Sequence, residues 1–216
     1  MKHILCYGDS NTWGHNPTPR GDDFRYHDDE RWTGILADML AGKAKVIEEG
    51  LCGRTIMHED PLGPYRNGQA FLGCCLQSHM PLDLVIFMLG TNDIRHIFTP
   101  SVVEIAIGMD NLVRMTQNPM ECGPFHVPKV LVIAPPPVRD EIAQSDFYGQ
   151  YDEESVRKSK LLAEAYKKTF DGRPNVTVLD AGQIAEVSIN DCIHMTADGH
   201  RALAQAVYEQ IEKMIF

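Results

Sequence analysis

The chain has 216 residues, 44% of them hydrophobic, and carries 30 acidic against 20 basic side chains for a formal charge of −10. That balance fits one sizeable core, and a single domain over residues 1–216 is expected. The acidic surface would repel a phosphate backbone or an anionic bilayer, so neither nucleic acid nor membrane is an expected partner. No apolar run approaches the roughly 18 residues of a membrane helix, and Ile4–Tyr7 is too short for a signal-peptide core. The six cysteines, at 6, 52, 74, 75, 122 and 192, contain no CxxC pair, which fits neither a disulfide framework nor a zinc ribbon. A reducing cytoplasm is the expected location.

In chain order, the first apolar run is His3–Tyr7, which reads as a buried strand. A Pro-, Gly- and Asp-rich loop follows over residues 11–29, and Asp28-Asp29-Glu30 reads as first-turn charge for the next helix. Trp32, Ile35, Leu36, Met39 and Leu40 then recur at helical spacing. Lys45–Ile47 and Leu84–Leu89 read as the next strands, and Val102, Ile105, Ala106, Met109, Leu112 and Val113 as another helical stripe. Lys129–Ala134 is the fourth strand, and a second long loop, 135–151, opens on three prolines. A charged segment from Asp152 leads into a helix bearing Leu162 and Tyr166, before a last strand at Val176–Leu179. Leu203, Val207, Ile211 and Met214 mark a terminal helix. This alternation predicts an α/β fold with a central, mostly parallel, five-stranded sheet between two helix layers.

In open parallel sheets, ligands bind beyond the carboxyl ends of the strands, so the segments after each strand are where chemistry is sought. Strand one is followed by Gly8-Asp9-Ser10-Asn11-Thr12-Trp13-Gly14, where a tight turn would present the Ser10 hydroxyl at the sheet edge. The second is followed by Glu48-Glu49-Gly50-Leu51-Cys52-Gly53-Arg54-Thr55, whose glycines leave backbone amides open to a cleft. Neither GxxxxGK[ST] nor GxGxxG is present, so no nucleotide cofactor is expected. Gly90-Thr91-Asn92-Asp93 follows the third strand, and the Asn92 amide could donate to a developing negative charge. Asp191-Cys192-Ile193-His194 precedes the last helix, where a carboxylate three residues before an imidazole can fix its tautomer. Each signal alone is equally a turn or cap; together they fall on one predicted edge.

Those four blocks resemble the SGNH, or GDSL-type, hydrolases, which contribute Ser, Gly, Asn and His from four such segments. ILCYGDSNTWG, RWTGILADML, VIEEGLCGRT, DLVIFMLGTND and KVLVIAPPP are similar to the arylesterase and acyltransferase branch, and the resemblance spans the chain. It implies a flavodoxin-like SGNH fold with Ser10 as nucleophile, His194 as base and acid, and Asp191 orienting His194. It implies an oxyanion hole from the Ser10 and Gly53 N–H groups and the Asn92 side chain; Gly53 is chosen for its place before Arg54-Thr55. A homo-oligomer whose long loops narrow the entrance is also implied.

The expected reaction is hydrolysis of small short-acyl esters, aryl or alkyl acetates for example, with acyl transfer to alcohols open. A carbohydrate O-acetyl esterase using the same residues is the alternative, and a non-catalytic flavodoxin-like binding module is a third reading. Asn11, Thr12 and Trp13 are expected to line the substrate pocket, Trp32 to sit in the core or an interface, and Asp9 and Asp93 to shape their turns. Cys192 reads as a small hydrophobe. The other histidines show no HxxxH or HExxH spacing, so no metal is expected.

Overall fold

Five strands form one sheet in the order β2-β1-β3-β4-β5, and every neighbouring pair is parallel. They are β1 (Lys2–Gly8), β2 (Ala44–Gly50), β3 (Leu84–Met88), β4 (Lys129–Ala134) and β5 (Val176–Asp180). The computed structural model describes residues 1–19 and 21–216; Arg20, inside the predicted first loop, lies outside the described residues. The three-layer expectation therefore holds, with a sheet that is wholly rather than mostly parallel. Only the central strands read as continuous apolar runs because only they are covered on both faces; β2 and β5 are half-buried edges.

Successive side chains of the central strands feed two cores. Leu5, Tyr7, Val85, Phe87, Val130 and Val132 pack against α3 (Gly68–His79), α4 (Val102–Thr116) and α7 (Leu162–Thr169). Ile4, Cys6, Ile86, Met88, Leu131 and Ile133 pack against α2 (Trp32–Met39) and α8 (Ala197–Ile215). Trp32 is fully buried there, as a core residue. Short helices α1 (Ser10–Trp13), α5 (Pro119–Cys122) and α6 (Glu153–Ser159) complete the set.

Several local readings change. Helix α3 has no strong apolar stripe: its two glycines and two cysteines dilute the period, and Leu72 and Leu76 alone among its large side chains are fully buried. The charged segment from Asp152 does not run on into the Leu162 helix but forms α6, capped by Asp152 and ended at Lys160. Asp28-Asp29-Glu30 lies before α2, whose first turn holds no acid; Asp28 pairs with Arg31 and Glu30 accepts from the His27 N–H instead. Glu48, Glu49 and Gly50 belong to β2, because Gly50 pairs in register with Gly8.

That glycine pair matters for the site. A Cβ on Gly8 would fall inside contact distance of Thr12, and one on Gly50 would strike the Trp13 backbone. Their absence lets α1 sit directly on the ends of β1 and β2, bringing Ser10 to the sheet edge. The chain passes to β2 on one side of β1 and to β3 on the other, so Ser10 lies at the switch point where such sheets bind ligands.

Candidate active site

Asp9 caps α1 by accepting the Asn11 N–H at 3.0 Å, which leaves Ser10 at the first helical position. The Ser10 Oγ lies 2.8 Å from His194 Nε2, and His194 Nδ1 lies 2.6 Å from Asp191 Oδ2. The other oxygen of Asp191 accepts the backbone N–H groups of Ile193 and His194, both at 3.0 Å. Burial raises the Asp191 carboxyl, but these hydrogen bonds and the adjacent imidazole outweigh it and hold the group below its ordinary range. An ionised Asp191 keeps the proton on Nδ1, so Nε2 is left to accept from the Ser10 hydroxyl.

The predicted neighbours divide. Asn11 is buried and does not line the Ser10 cavity: its Oδ1 accepts the Met195 N–H at 2.9 Å and its Nδ2 donates to the Ile193 carbonyl at 3.3 Å. It stitches α1 to the segment that carries His194. Thr12 is fully buried beneath the site, and Trp13 lies against Arg25, whose Nε donates to the Trp13 carbonyl at 2.7 Å. The expectation that these three side chains wall the pocket is therefore corrected: none of them lines the cavity at Ser10, Asn11 and Thr12 being buried and the half-buried Trp13 lying against Arg25.

Asn92 is fixed on both ends of its amide. Tyr151 donates its hydroxyl to Oδ1 at 3.2 Å, while Nδ2 donates to the Arg54 carbonyl at 3.1 Å and reaches Asp9 Oδ2 at 3.4 Å. Burial pushes the Asp9 carboxyl up to about 7, against the lowering effects of the Asn11 N–H and His194. Asp93 is wholly buried, and both its oxygens accept the Ile56 N–H, at 2.9 and 3.0 Å, with His58 Nδ1 at 3.0 Å. This ties the loop after β2 to the loop after β3. Arg54 completes the seat: its guanidinium stacks 4.0 Å from the Tyr7 ring and donates to the carbonyls of Gly8 and Glu49. Gly53, with φ +81, thus sits on a braced turn, and its N–H and that of Ser10 donate to no protein acceptor among the described residues.

Ser10, Gly53, Asn92 and His194 line a cavity of about 190 Å³. Its remaining walls come from the two long loops expected to narrow the entrance, through His15 in the first and Phe147, Gln150 and Tyr151 in the second, and from residues the sequence did not single out: Cys52 and Arg66 in a third irregular stretch, 51–67, and Ile193. The His15 ring lies 4.1 Å from the His194 ring at a tilt of 39°, and Phe147 meets that ring edge-on at 5.9 Å. Burial and the neighbouring His194 push the His15 pKa down to about 4, so it is neutral at pH 7. A larger cleft of about 790 Å³, lined by Tyr26, Glu30, Arg139 and Glu186 among others, includes none of Ser10, Asn92 or His194.

The second loop also braces the DxxH segment. Ser145 Oγ donates to the Asp191 carbonyl at 2.8 Å, and the Arg139 N–H to the Cys192 carbonyl at 3.0 Å. Cys192 is buried, with φ +66 and its thiol pKa raised by burial. Among the described residues, two groups bring three potential metal-ligand atoms within 4.8 Å of one another: His15, Asp191 and His194; and Glu49, Cys75 and His79. Spacing rules did not find them because their members come from different elements. The first is the Asp191–His194 pair with His15 beside it, and in the second His79 Nε2 is already 3.0 Å from Glu49 Oε1.

A family model for GDSL-like lipase/acylhydrolases matches residues 6–202. The chain belongs to this family. It is a carboxylic ester hydrolase, with an SGNH fold shared by its solved relatives. The M. smegmatis aryl esterase is 38% identical over 100% of both chains, with a TM-score of 0.91. Est24, a carbohydrate acetylesterase from Sinorhizobium meliloti, is 37% identical over 100% of both, at TM-score 0.92. A putative arylesterase from Agrobacterium tumefaciens is 36% identical over 100% of both, at 0.86. No curated protein matched the sequence. Among the described residues, no helix is long and apolar enough to cross a membrane.

Proposed function

We propose that this hydrolase cleaves small short-acyl esters through an acyl-enzyme on Ser10, with Asp191 and His194 completing a triad. The reading rests on one observation above all: the Ser10 hydroxyl, already 2.8 Å from His194 Nε2, shares a cavity of about 190 Å³ with Gly53 and Asn92. That space is below the roughly 300–1,000 Å³ of sites that enclose drug-sized ligands, so an acetyl group fits where a long acyl chain does not.

His194 Nε2 takes the hydroxyl proton as Ser10 Oγ bonds to the ester carbonyl carbon, and Asp191 stabilises the resulting imidazolium. The carbonyl oxygen becomes an oxyanion facing the N–H groups of Ser10 and Gly53 and the Asn92 amide. Asn92 yields its long contact to Asp9 and keeps the one to Arg54. The C–O bond to the alcohol then breaks, and His194 returns the proton to the leaving oxygen. Water, deprotonated by His194, attacks the acyl-enzyme and releases the acid; an alcohol in its place gives acyl transfer.

Fluorophosphonate labelling tests the nucleophile: an adduct at Ser10, lost in Ser10→Ala, is expected, and esterase activity surviving in Ser10→Ala refutes it. Comparison of 4-nitrophenyl acetate with the decanoate tests the size limit, and faster turnover of the decanoate overturns it. A second reading, deacetylation of carbohydrates, is favoured by the polar wall of His15, Arg66 and Gln150 and by the similarity to Est24. Release of acetate from peracetylated sugars at rates well above those on aryl acetates would select it.

A further inference from the structure

Arg66 occupies a constructed seat that the ester chemistry above does not use. Its carbonyl accepts the Thr55 N–H at 2.9 Å and Thr55 Oγ1 at 3.3 Å, which fixes its backbone. Its guanidinium fills the space left by two glycines: a methyl group on Gly53 would fall 2.7 Å from Nε, and one on Gly63 would also collide with the head group. Nη1 donates to Asp60 Oδ2 at 2.7 Å, and that same oxygen accepts Arg95 Nη1 at 2.7 Å.

Two guanidiniums on one carboxylate leave a net positive charge. Burial raises the Asp60 carboxyl, but the two arginines overcome it and hold the group below its usual range, so the carboxylate stays ionised. Asp60 and Arg95 are buried; Arg66, with 31% of its side chain exposed, is the member that faces the cavity. Its Nε and Nη2 donate to nothing among the described residues. These two donors share one edge of the planar group, the fork that receives both oxygens of a carboxylate. In a chain of charge −10, this cation stands beside Gly53.

We propose that Arg66 is a carboxylate-binding subsite of the ester pocket, and that preferred substrates are short-acyl esters bearing a carboxylate in the alcohol or the acyl portion. The inference rests on the esterase reading above. The cavity is small enough that an anion held at Arg66 lies within one short molecule's length of Ser10.

The test measures kcat/KM of the full chain on two matched pairs: 4-acetoxybenzoate against its methyl ester, and mono-4-nitrophenyl succinate against its methyl ester. The readout is the anionic-to-neutral ratio. In at least one pair, Arg66→Met is expected to lower that ratio about tenfold or more, the loss of a charge-assisted pair, with Arg66→Lys recovering part of it. Raising the salt should shrink the wild-type preference. A change in the first pair places the carboxylate on the alcohol, a change in the second on the acyl group. General damage to the 51–67 loop lowers both members of a pair equally, so a ratio unchanged by Arg66→Met in both pairs overturns the proposal. If the wild type cleaves none of the four esters and Ser10 takes no fluorophosphonate, the esterase reading fails and this one with it; activity with an unaltered ratio refutes this one alone.

Discussion

Removing the Tyr151 hydroxyl should impair catalysis through the Asn92 amide that it orients. The hydroxyl donates to Asn92 Oδ1 at 3.2 Å in a fully buried environment, and Nδ2 donates to the Arg54 carbonyl at 3.1 Å. Both partners demand the same amide orientation, with nitrogen toward the oxyanion position. In Tyr151→Phe, Oδ1 loses its donor at an estimated cost of about 1–3 kcal/mol. The amide then gains freedom to turn, and a turned amide presents oxygen where negative charge develops. Complete loss of one oxyanion donor costs about 10²–10³ in kcat, so partial misorientation should cost about 10-fold. Steady-state kinetics on 4-nitrophenyl acetate should show kcat reduced with KM nearly unchanged, since the interaction grows only in the transition state. Asn92→Ala should fall by the full factor, and Tyr151→Phe should cause little further loss in that background. Equal effects of Tyr151→Phe with and without Asn92, or an unchanged kcat, would refute the orientation argument.

The same geometry gives three more expectations. Asn11→Ala orphans the Met195 N–H and the Ile193 carbonyl, so urea unfolding should show a loss of about 2–4 kcal/mol and kcat should drop as His194 loosens; a stability change under about 1 kcal/mol would count against the stitch. Gly53→Ala places a methyl against Arg66 and strains a backbone at φ +81, so fluorophosphonate labelling of Ser10 should slow about tenfold, and an unchanged rate would remove Gly53 from the site. His200, fully buried, accepts the Trp32 N–H on Nδ1 at 3.2 Å, and burial pushes its pKa down to about 3. The native state keeps it neutral while the unfolded chain protonates it below about pH 6.5, so its contribution is complete above that pH and is lost on acidification. Between pH 7 and 4.5 the wild type should lose about 2–3 kcal/mol more than His200→Gln, and equal losses would show that the ring titrates freely.

The candidates Ser10, Asn92, Asp191 and His194 were legible in the sequence because each follows a strand or precedes the last helix, where local turn chemistry and the sheet's switch point coincide, while the choice of Gly53 over Gly50 came from the family resemblance. The strands themselves were legible because β1, β3 and β4 are covered on both faces, which writes an unbroken apolar run. Helix α3 was not, since its burial falls on two leucines among glycines and cysteines. Nor was the inward turn of Asn11, which depends on a partner segment more than 180 residues away in the chain.

The sequence alone determined the order of the strands along the chain, an acidic chain suited to one core, and a set of candidate residues for ester chemistry. Tertiary structure decided what surrounds them: which side chain orients Asn92, which ring covers His194, and which cation stands beside Gly53. The candidate catalytic groups sit after strands or before the last helix, where local pattern and fold topology agree. Pocket walls are assembled from three loops that meet only after the sheet has formed, and no local pattern encodes that meeting.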